Sequence, residues 1–321
     1  MKLGLFSPVF GQQNFEGLLK EVARYKQIQA LEIGTGGWPG TPHIDVDACL
    51  ASQDTARDYA ARIEDAGLII SAFSCHGNPI HPNATTAKSA DETFRKAVRL
   101  AERLKVPVVI TFSGCPGGGP QDQVPNWIVS PWPPENLEVL AWQWEERVIP
   151  YWSEAARFTA DHGVKVALEA HPNFCVYNPE TLLQLRAATN TSLGINLDPS
   201  HLYWQGMDLP TVISTLGDAI FHVHAKDVAL NRKLIALNGV LDGKSYTRMQ
   251  ERSWLFRSVG WGHSELEWRA IASALRLAGY DYVMSIEHED ALASIDEGLS
   301  SAVNFLSNII LRDPPTEAWW T

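Results

Sequence analysis

The chain has 321 residues, 45% of them hydrophobic and 20% charged, as expected for a globular protein with a large core. Its formal net charge of -11 argues against nucleic acid, whose phosphates attract basic surfaces, and against an anionic membrane surface. The first apolar run is too short for a secretory signal, and no run of about 18 apolar residues indicates a membrane span. The four cysteines form no Cys-x-x-Cys pair, so we expect reduced thiols in a cytoplasmic protein.

Short apolar strands alternate with amphipathic helices along the chain. Eight strands, each followed by a helix, predict an α/β fold, a (β/α)8 TIM barrel in which residues 1–321 form a single domain. An open doubly wound sheet is the alternative, and it is weakened because no Gly-x-Gly-x-x-Gly follows the first strand. The predicted strands are 3–7, 30–34, 69–75, 106–112, 164–169, 193–198, 220–224 and 282–287.

Two long connections follow predicted strands four and seven. The first is the Pro/Gly-rich stretch SGCPGGGPQDQVPNWIVSPWPPEN, and the second runs from Val228 to about Ser264. In such a barrel, the loops that follow the strands lie at the face where active sites are built. The length of the first loop predicts a lid over such a site.

Four consecutive predicted strands end in acids and histidines, within VALEAHP, INLDPSH, FHVHAKD and YVMSIEHED. Any one of these acids could be a surface group, and Asp198 could cap the next helix. Side chains alternate along a strand, so Glu169, Asp198, His224 and Glu287 converge if these faces point into the barrel mouth. Three crowded carboxylates need a counter-charge, and a divalent cation supplies it. Oxygen and imidazole ligands suit Mn²⁺, Mg²⁺ or Co²⁺, whereas structural zinc more often recruits cysteine.

The series LEAHP, NLDPSHL, HVHAKD and SIEHED resembles the xylose-isomerase-like barrel superfamily, the sugar phosphate isomerase/epimerase family, in order over nearly the whole chain. The resemblance implies that Glu169 and Glu287 bind metal and exchange protons with substrate. It implies that Asp198 and His224 are the other two ligands and that His201 contacts substrate. Mn²⁺ is the expected metal, with Mg²⁺, Co²⁺ or Zn²⁺ as alternatives.

Several other side chains are candidates for contact with the sugar. The family often has an arginine after the histidine of strand seven; the nearest here is Arg232, and Lys226 could contact a substrate oxygen instead. Glu32 could reach substrate or cap a helix. Aromatic faces pack on the C–H faces of sugars, which favours tryptophans in the loops. The expected substrate contacts are His201, Lys226, His171, His76, Trp38, Trp127 and Trp261.

The predicted activity is that of a metal-dependent sugar or keto-sugar isomerase or epimerase that removes a proton next to a carbonyl and forms an enediolate. Cleavage of a 3-keto-glycoside, including C-glycosides, by a deglycosidase or lyase is the alternative on the same site. An endonuclease IV-like DNA-repair enzyme or a non-catalytic sugar-binding barrel is less favoured. We expect a carbohydrate substrate, neither nucleic acid nor membrane as partner, and a homo-oligomer or partner subunit that covers the tryptophans of EAWWT.

Overall fold

The computed structural model describes residues 1–320, and eight of its parallel strands close into a barrel. The predicted (β/α)8 barrel is therefore confirmed, and every predicted barrel strand overlaps an observed one. The strands in chain order are β1 (Lys2–Phe6), β2 (Ala30–Gly34), β3 (Ile69–Ser74), β4 (Val108–Phe112), β5 (Lys165–Glu169), β6 (Leu193–Leu197), β7 (Ile220–Ala225), β8 (Asp227–Leu230), β9 (Trp254–Arg257) and β10 (Val283–Ile286).

Helices surround the barrel, and most of them bury apolar side chains against it. Ser264 begins the helix before β10 with a capping box, in which its side chain and that of Glu267 each bond the other's backbone amide. No helix within residues 1–320 is long and apolar enough to span a bilayer. The helices are α1 (Phe15–Val22), α2 (Val46–Ala51), α3 (Gln53–Asp65), α4 (Ala84–Leu104), α5 (Glu135–Trp142), α6 (Ile149–Asp161), α7 (Pro179–Ala188), α8 (Pro199–Tyr203), α9 (Leu209–Leu216), α10 (Arg232–Asn238), α11 (Glu265–Leu277) and α12 (Ile295–Ser307).

The strand order places four strand ends side by side. Around the barrel the order is β1-β10-β7-β6-β5-β4-β3-β2, and β1 pairs with both β2 and β10 to close the ring. All of these pairs are parallel, so the carboxyl-terminal ends of β5, β6, β7 and β10 lie next to one another on one face. This is the face at which barrel enzymes build their active sites.

The connection after β7 differs from the loop that the sequence predicts. It contains α10 and an antiparallel hairpin in which β8 pairs with β9, from Asp227 opposite Arg257 to Leu230 opposite Trp254. We call residues 227–263 the insert. Its strands have four residues each, and Trp254 stacks on Trp204 of the barrel at 4.9 Å with an interplanar angle of 6°. Strands this short are stabilised by packing against residues far away in the sequence, so their own sequence pattern predicts them only weakly.

Candidate metal centre and active site

The four predicted metal ligands lie together at the barrel mouth. One ligand atom from each of Glu169, Asp198, His224 and Glu287 lies within 4.8 Å of the others, and all four side chains are buried. They come from the adjacent ends of β5, β6, β7 and β10. The barrel closure thus brings together residues that are up to 118 positions apart in the sequence.

The atoms that face this point have close ion-pair partners but no hydrogen bond of good geometry. Asp198 Oδ2, His224 Nδ1 and Glu287 Oε2 are buried, and none makes a hydrogen bond within residues 1–320. Asp198 Oδ1 accepts the amide of Ser200 at 2.8 Å and so caps α8, which leaves its second oxygen for the site. Buried polar atoms rarely lack a hydrogen bond, and three that converge with Glu169 fit a divalent cation with oxygen and imidazole ligands.

Glu32 fixes the orientation of His224. Both of its carboxylate oxygens lie 3.0 Å from His224 Nε2, so that nitrogen donates to Glu32, and Nδ1 is the nitrogen that would bind a metal. Burial alone would raise the pKa of Glu32, but the neighbouring His224 lowers it to about 2. Glu32 is buried inside the barrel, so it neither caps a helix nor lines the cavity above the ligands.

Two hydrogen bonds and an ion pair hold Glu169 in place. His76 Nε2 and Asn196 Nδ2 each lie 3.1 Å from its Oε2, and His201 Nε2 lies 3.3 Å from its Oε1. Burial opposes ionisation, but His201, His224 and His76 hold the pKa of Glu169 well below its usual range. Asn196 is a residue that the sequence analysis missed. Its alternation with Asp198 in INLD places both on one face of β6, which was the available signal.

Lys226 brings a positive charge to the same carboxylates. Its Nζ lies 2.8 Å from Glu287 Oε2, 3.1 Å from Asp198 Oδ2 and 3.2 Å from Glu289 Oε2. It also lies over the ring of Phe256, 4.7 Å from the centroid. Burial favours the neutral amine, but the three carboxylates hold the pKa of Lys226 well above its ordinary value. The side chain is therefore a buried ammonium among acids.

Two adjacent histidines differ in charge: His201 is cationic and His171 is neutral. Burial lowers the pKa of His201, but Asp198, whose Oδ2 is 3.1 Å away, raises it to about 9. Burial and the nearby charge of His201 lower the pKa of His171 to about 3. Their rings are 4.1 Å apart, and His171 Nδ1 lies 2.6 Å from the carbonyl of Pro172. The neutral His171 thus donates to the backbone and keeps Nε2 as an acceptor.

A cavity of about 720 Å³ opens above the ligands. We call Glu169, Lys226 and Glu287 its floor, while Asp198 and His224 lie beneath them. Three further predicted substrate contacts line the cavity: His76, His171 and Trp38. His201 lies below the lining, where it contacts Glu169 and Asp198.

Two predicted tryptophan contacts and the candidate arginine lie elsewhere. Trp127 packs edge-on against Tyr177 at 5.3 Å, because the loop after β4 folds against the loop after β5. Trp261 donates its indole N–H to Ser301 of α12 at 3.0 Å. Arg232 begins α10 and is exposed. None of the three lines the cavity. The basic residue beside the proposed ligands is Lys226, not Arg232.

Asp227 closes the base of the insert. Its Oδ2 accepts the amides of Gly260, Gly262 and His263 at 3.0–3.1 Å, and its Oδ1 lies 2.7 Å from His263 Nδ1. Gly260 has φ +90, a backbone conformation that glycine adopts readily. The amides of the glycine turn therefore donate to the protein's own carboxylate and are not available to bind a phosphate.

The chain belongs to the family described as xylose isomerase-like TIM barrel, whose profile matches residues 28–309. It is similar to the uncharacterized protein YfiH of Bacillus subtilis, with 39% identity over 97% of this chain and 99% of that protein. Two solved structures share the fold. The probable 3-DHS dehydratase AsbF of Bacillus anthracis has a TM-score of 0.65 and 19% identity, covering 96% of this chain and 99% of that one. The 3-keto-D-glucoside 4-epimerase YcjR of E. coli has a TM-score of 0.63 and 12% identity, covering 96% and 98%.

Proposed function

We propose that the protein is a divalent-metal-dependent isomerase or epimerase that moves a proton next to the carbonyl of a sugar or keto-sugar. The observation that carries this proposal is the convergence of Glu169 and Glu287 on one cation site at the cavity floor. Two carboxylates beside one cation provide two groups for proton transfer and one for charge stabilisation. YcjR, which shares the fold, is named for the epimerisation of a keto-glucoside.

Glu169, Asp198, His224 Nδ1 and Glu287 would hold the metal. A bound metal polarises a carbonyl and makes the neighbouring C–H more acidic. We propose Mn²⁺ because one imidazole and three carboxylates form a mainly oxygen ligand set with room for substrate oxygens. Mg²⁺, Co²⁺ and Zn²⁺ are the alternatives, and the metal content of the purified protein decides among them.

The two glutamates would divide the proton transfers between them. Glu287 lines the cavity and is a carboxylate beside the proposed metal, so one role for it is to take the proton from carbon. Glu169 would then return a proton, and the reverse direction exchanges their roles. Return on the opposite face of the same carbon gives epimerisation, and return on the adjacent carbon gives isomerisation. Lys226, His201, His171 and His76 would position substrate oxygens at this floor.

Cleavage of a 3-keto-glycoside is the second candidate. The volume of about 720 Å³ favours it, because a leaving group needs space beyond the sugar ring. The dehydratase AsbF shares the fold and is named for an elimination. Loss of a β-substituent after the same proton abstraction gives a different product, so product analysis separates cleavage from isomerisation. A DNA-repair function is not favoured, because the described cavity lining contains one lysine, Lys226, and no arginine.

Solvent deuterium exchange tests the proposal. The Mn²⁺-loaded protein is incubated in D₂O with ketoses, inososes and 3-keto-glucosides, and C–H signals are followed by NMR. We expect exchange or product formation that requires metal and is lost in Glu287→Gln. Glu317→Gln, near the chain end, is the matched control and should keep full activity. Metal-loaded wild-type protein that exchanges nothing across this panel would count against an isomerase or epimerase and favour a sugar-binding barrel.

We also propose that the chain forms a homo-oligomer or binds a partner subunit. Trp319 and Trp320 have 85% and 70% of their surface exposed, and Thr321 lies outside the described residues. Large exposed aromatic side chains are often covered by association. Light scattering on the full chain and on a chain that ends at Glu317 tests this. A mass that is the same in both forms would reject the role of these tryptophans.

A further inference from the structure

The cavity is larger than a single sugar ring requires. Its volume of about 720 Å³ falls in the range of about 300–1,000 Å³ that encloses drug-sized ligands. The metal-facing carboxylates lie together at the floor, whereas the upper lining contains many apolar side chains. A sugar whose carbonyl lies at the floor therefore leaves apolar space above it.

One side of this upper space is formed by the insert. We call Tyr246, Met249, Leu255 and Phe256 the apolar wall. The rings of Tyr246 and Phe256 stack at 5.7 Å with an interplanar angle of 23°, so they present a connected surface. Phe256 also lies over Lys226 of the floor. The apolar wall is thus continuous with the site where the chemistry is proposed.

Exposed apolar residues from other parts of the chain also line the cavity. Leu292 and Ile295 follow β10, and Trp38 follows β2, with 56%, 42% and 65% of their surfaces exposed. Tyr246 of the apolar wall is 53% exposed. Four large apolar side chains that are exposed and line one concave surface indicate a binding site, because scattered surface residues would not converge in this way.

The charge of the cavity restricts the ligand further. Lys226 is the one lysine or arginine among the described lining residues, and its ammonium already contacts three carboxylates. The amides of the turn at Gly260 are bonded to Asp227. When the carbonyl of a sugar phosphate lies at the floor, its phosphate reaches the upper cavity, where the described lining offers no lysine or arginine to neutralise it.

We propose that the upper cavity is a subsite for a planar apolar aglycone, and that the substrate is an uncharged keto-sugar glycoside rather than a sugar phosphate. The sugar binds at the floor, and the aglycone lies between the apolar wall and Leu292. This inference rests on the proposed function for the sugar part. The aglycone part rests on the shape and composition of the lining.

Binding without turnover provides the first test. Calorimetry on Mn²⁺-loaded Glu287→Gln compares methyl 3-keto-glucoside, phenyl 3-keto-glucoside and glucose 6-phosphate. Burial of a phenyl ring is expected to improve affinity about 10- to 100-fold over the methyl compound. Glucose 6-phosphate should bind most weakly. Tighter binding of glucose 6-phosphate than of the phenyl compound would overturn the assignment.

Matched leucine variants locate the subsite. In the same background, Leu255→Ser and Leu292→Ser should each reduce the preference for phenyl over methyl. Leu241→Ser is the control, because Leu241 belongs to the insert and is 67% exposed but does not line the cavity. It should leave both affinities unchanged. An equal loss in all three variants would indicate a general disturbance of the protein rather than loss of a local contact, and this would overturn the subsite.

The remaining outcomes separate the subsite from the chemistry. A phenyl preference with no deuterium exchange in wild-type protein supports the subsite and rejects the proposed function. Exchange with no phenyl preference supports the function and rejects the subsite. Absence of the preference together with dissociation of a dimer in Leu255→Ser would show that a second copy covers the apolar wall, and this too would overturn the subsite.

Discussion

The floor and the apolar wall of the cavity are built in opposite ways. The floor consists of buried ionised groups at barrel strand ends, and Glu169 is fixed there by hydrogen bonds from His76 and Asn196. The apolar wall consists of partly exposed side chains on the insert, and it is held by ring packing. The floor is suited to a fixed reaction geometry, and the wall is suited to selecting what is attached to the reacting sugar.

The difference indicates that chemistry and substrate choice can change separately. A buried charge network tolerates little alteration, because each group left without its partner carries a large desolvation penalty. An apolar surface on an insert can vary in shape while the barrel remains intact. Changes in the floor should therefore abolish catalysis, whereas changes in the insert should alter selectivity or local stability.

The largest expected effect is on the floor. Glu287→Gln removes one of the two groups proposed for proton transfer, so kcat should fall by about 10²- to 10⁴-fold at saturating metal. NMR detection of deuterium exchange measures this. Glu289→Gln changes a neighbouring acid that contacts Lys226 but is not a proposed ligand, and its loss should be smaller. Equal losses in both variants would argue that the floor acts only through its total charge.

A second substitution tests whether the insert is independent of the floor. Asp227→Ala leaves the amides of Gly260, Gly262 and His263 without their acceptor, so the free energy of unfolding should fall by at least about 3 kcal/mol. Denaturant titration measures this, and metal affinity should be retained. Asp208→Ala, which removes an exposed helix cap, should lose much less. A parallel loss of metal affinity in Asp227→Ala would contradict the independence of the two regions.

Metal removal should destabilise the barrel through the floor. At a free metal concentration 100 times Kd, the bound ion should add about 2.7 kcal/mol to the free energy of unfolding. A chelator should therefore lower the stability of the wild-type protein by about that amount, as measured by thermal or denaturant unfolding. His224→Ala lacks one proposed ligand and should respond less. An identical response in the variant would place the metal elsewhere.

The smallest expected effect concerns the support of a ligand. Glu32→Gln keeps the size of the side chain but weakens the control of the His224 tautomer, so metal affinity should fall about 10- to 100-fold. Calorimetric titration with Mn²⁺ measures this. Glu64→Gln, on the exposed surface of α3, should leave metal affinity unchanged. Unaltered affinity in Glu32→Gln would mean that His224 does not depend on this carboxylate.

The sequence predicts the barrel and the convergence of its strand ends because both follow from local patterns. Apolar runs identify the strands, and the acids and histidines that follow them must meet once the barrel closes. The insert could not be predicted in the same way, since the stacking of Trp254 on Trp204 joins segments 50 residues apart. The position of Trp261 also depends on tertiary contacts, because Asp227 fixes its turn and Ser301 receives its N–H.

Glu32 shows the limit of reading one strand at a time. Its place at the end of an apolar strand suggested exposure to substrate or a helix cap, but β2 and β7, which are separated by β1 and β10 in the ring, both direct side chains into the barrel. Its carboxylate therefore meets His224 in the interior. Only the closed barrel reveals that contact, since the two residues are 192 positions apart in the sequence.

The most direct test is pulsed electron paramagnetic resonance on the Mn²⁺-loaded protein. We predict one Mn²⁺ per chain with hyperfine coupling to a single histidine nitrogen, which ¹⁵N labelling at Nδ1 of histidine would assign. His224→Ala should remove that coupling, whereas His43→Ala, at a buried histidine that is not a proposed ligand, should retain it. Mn²⁺ that binds without nitrogen coupling, or with coupling that persists in His224→Ala, would contradict a metal centre formed by Glu169, Asp198, His224 and Glu287.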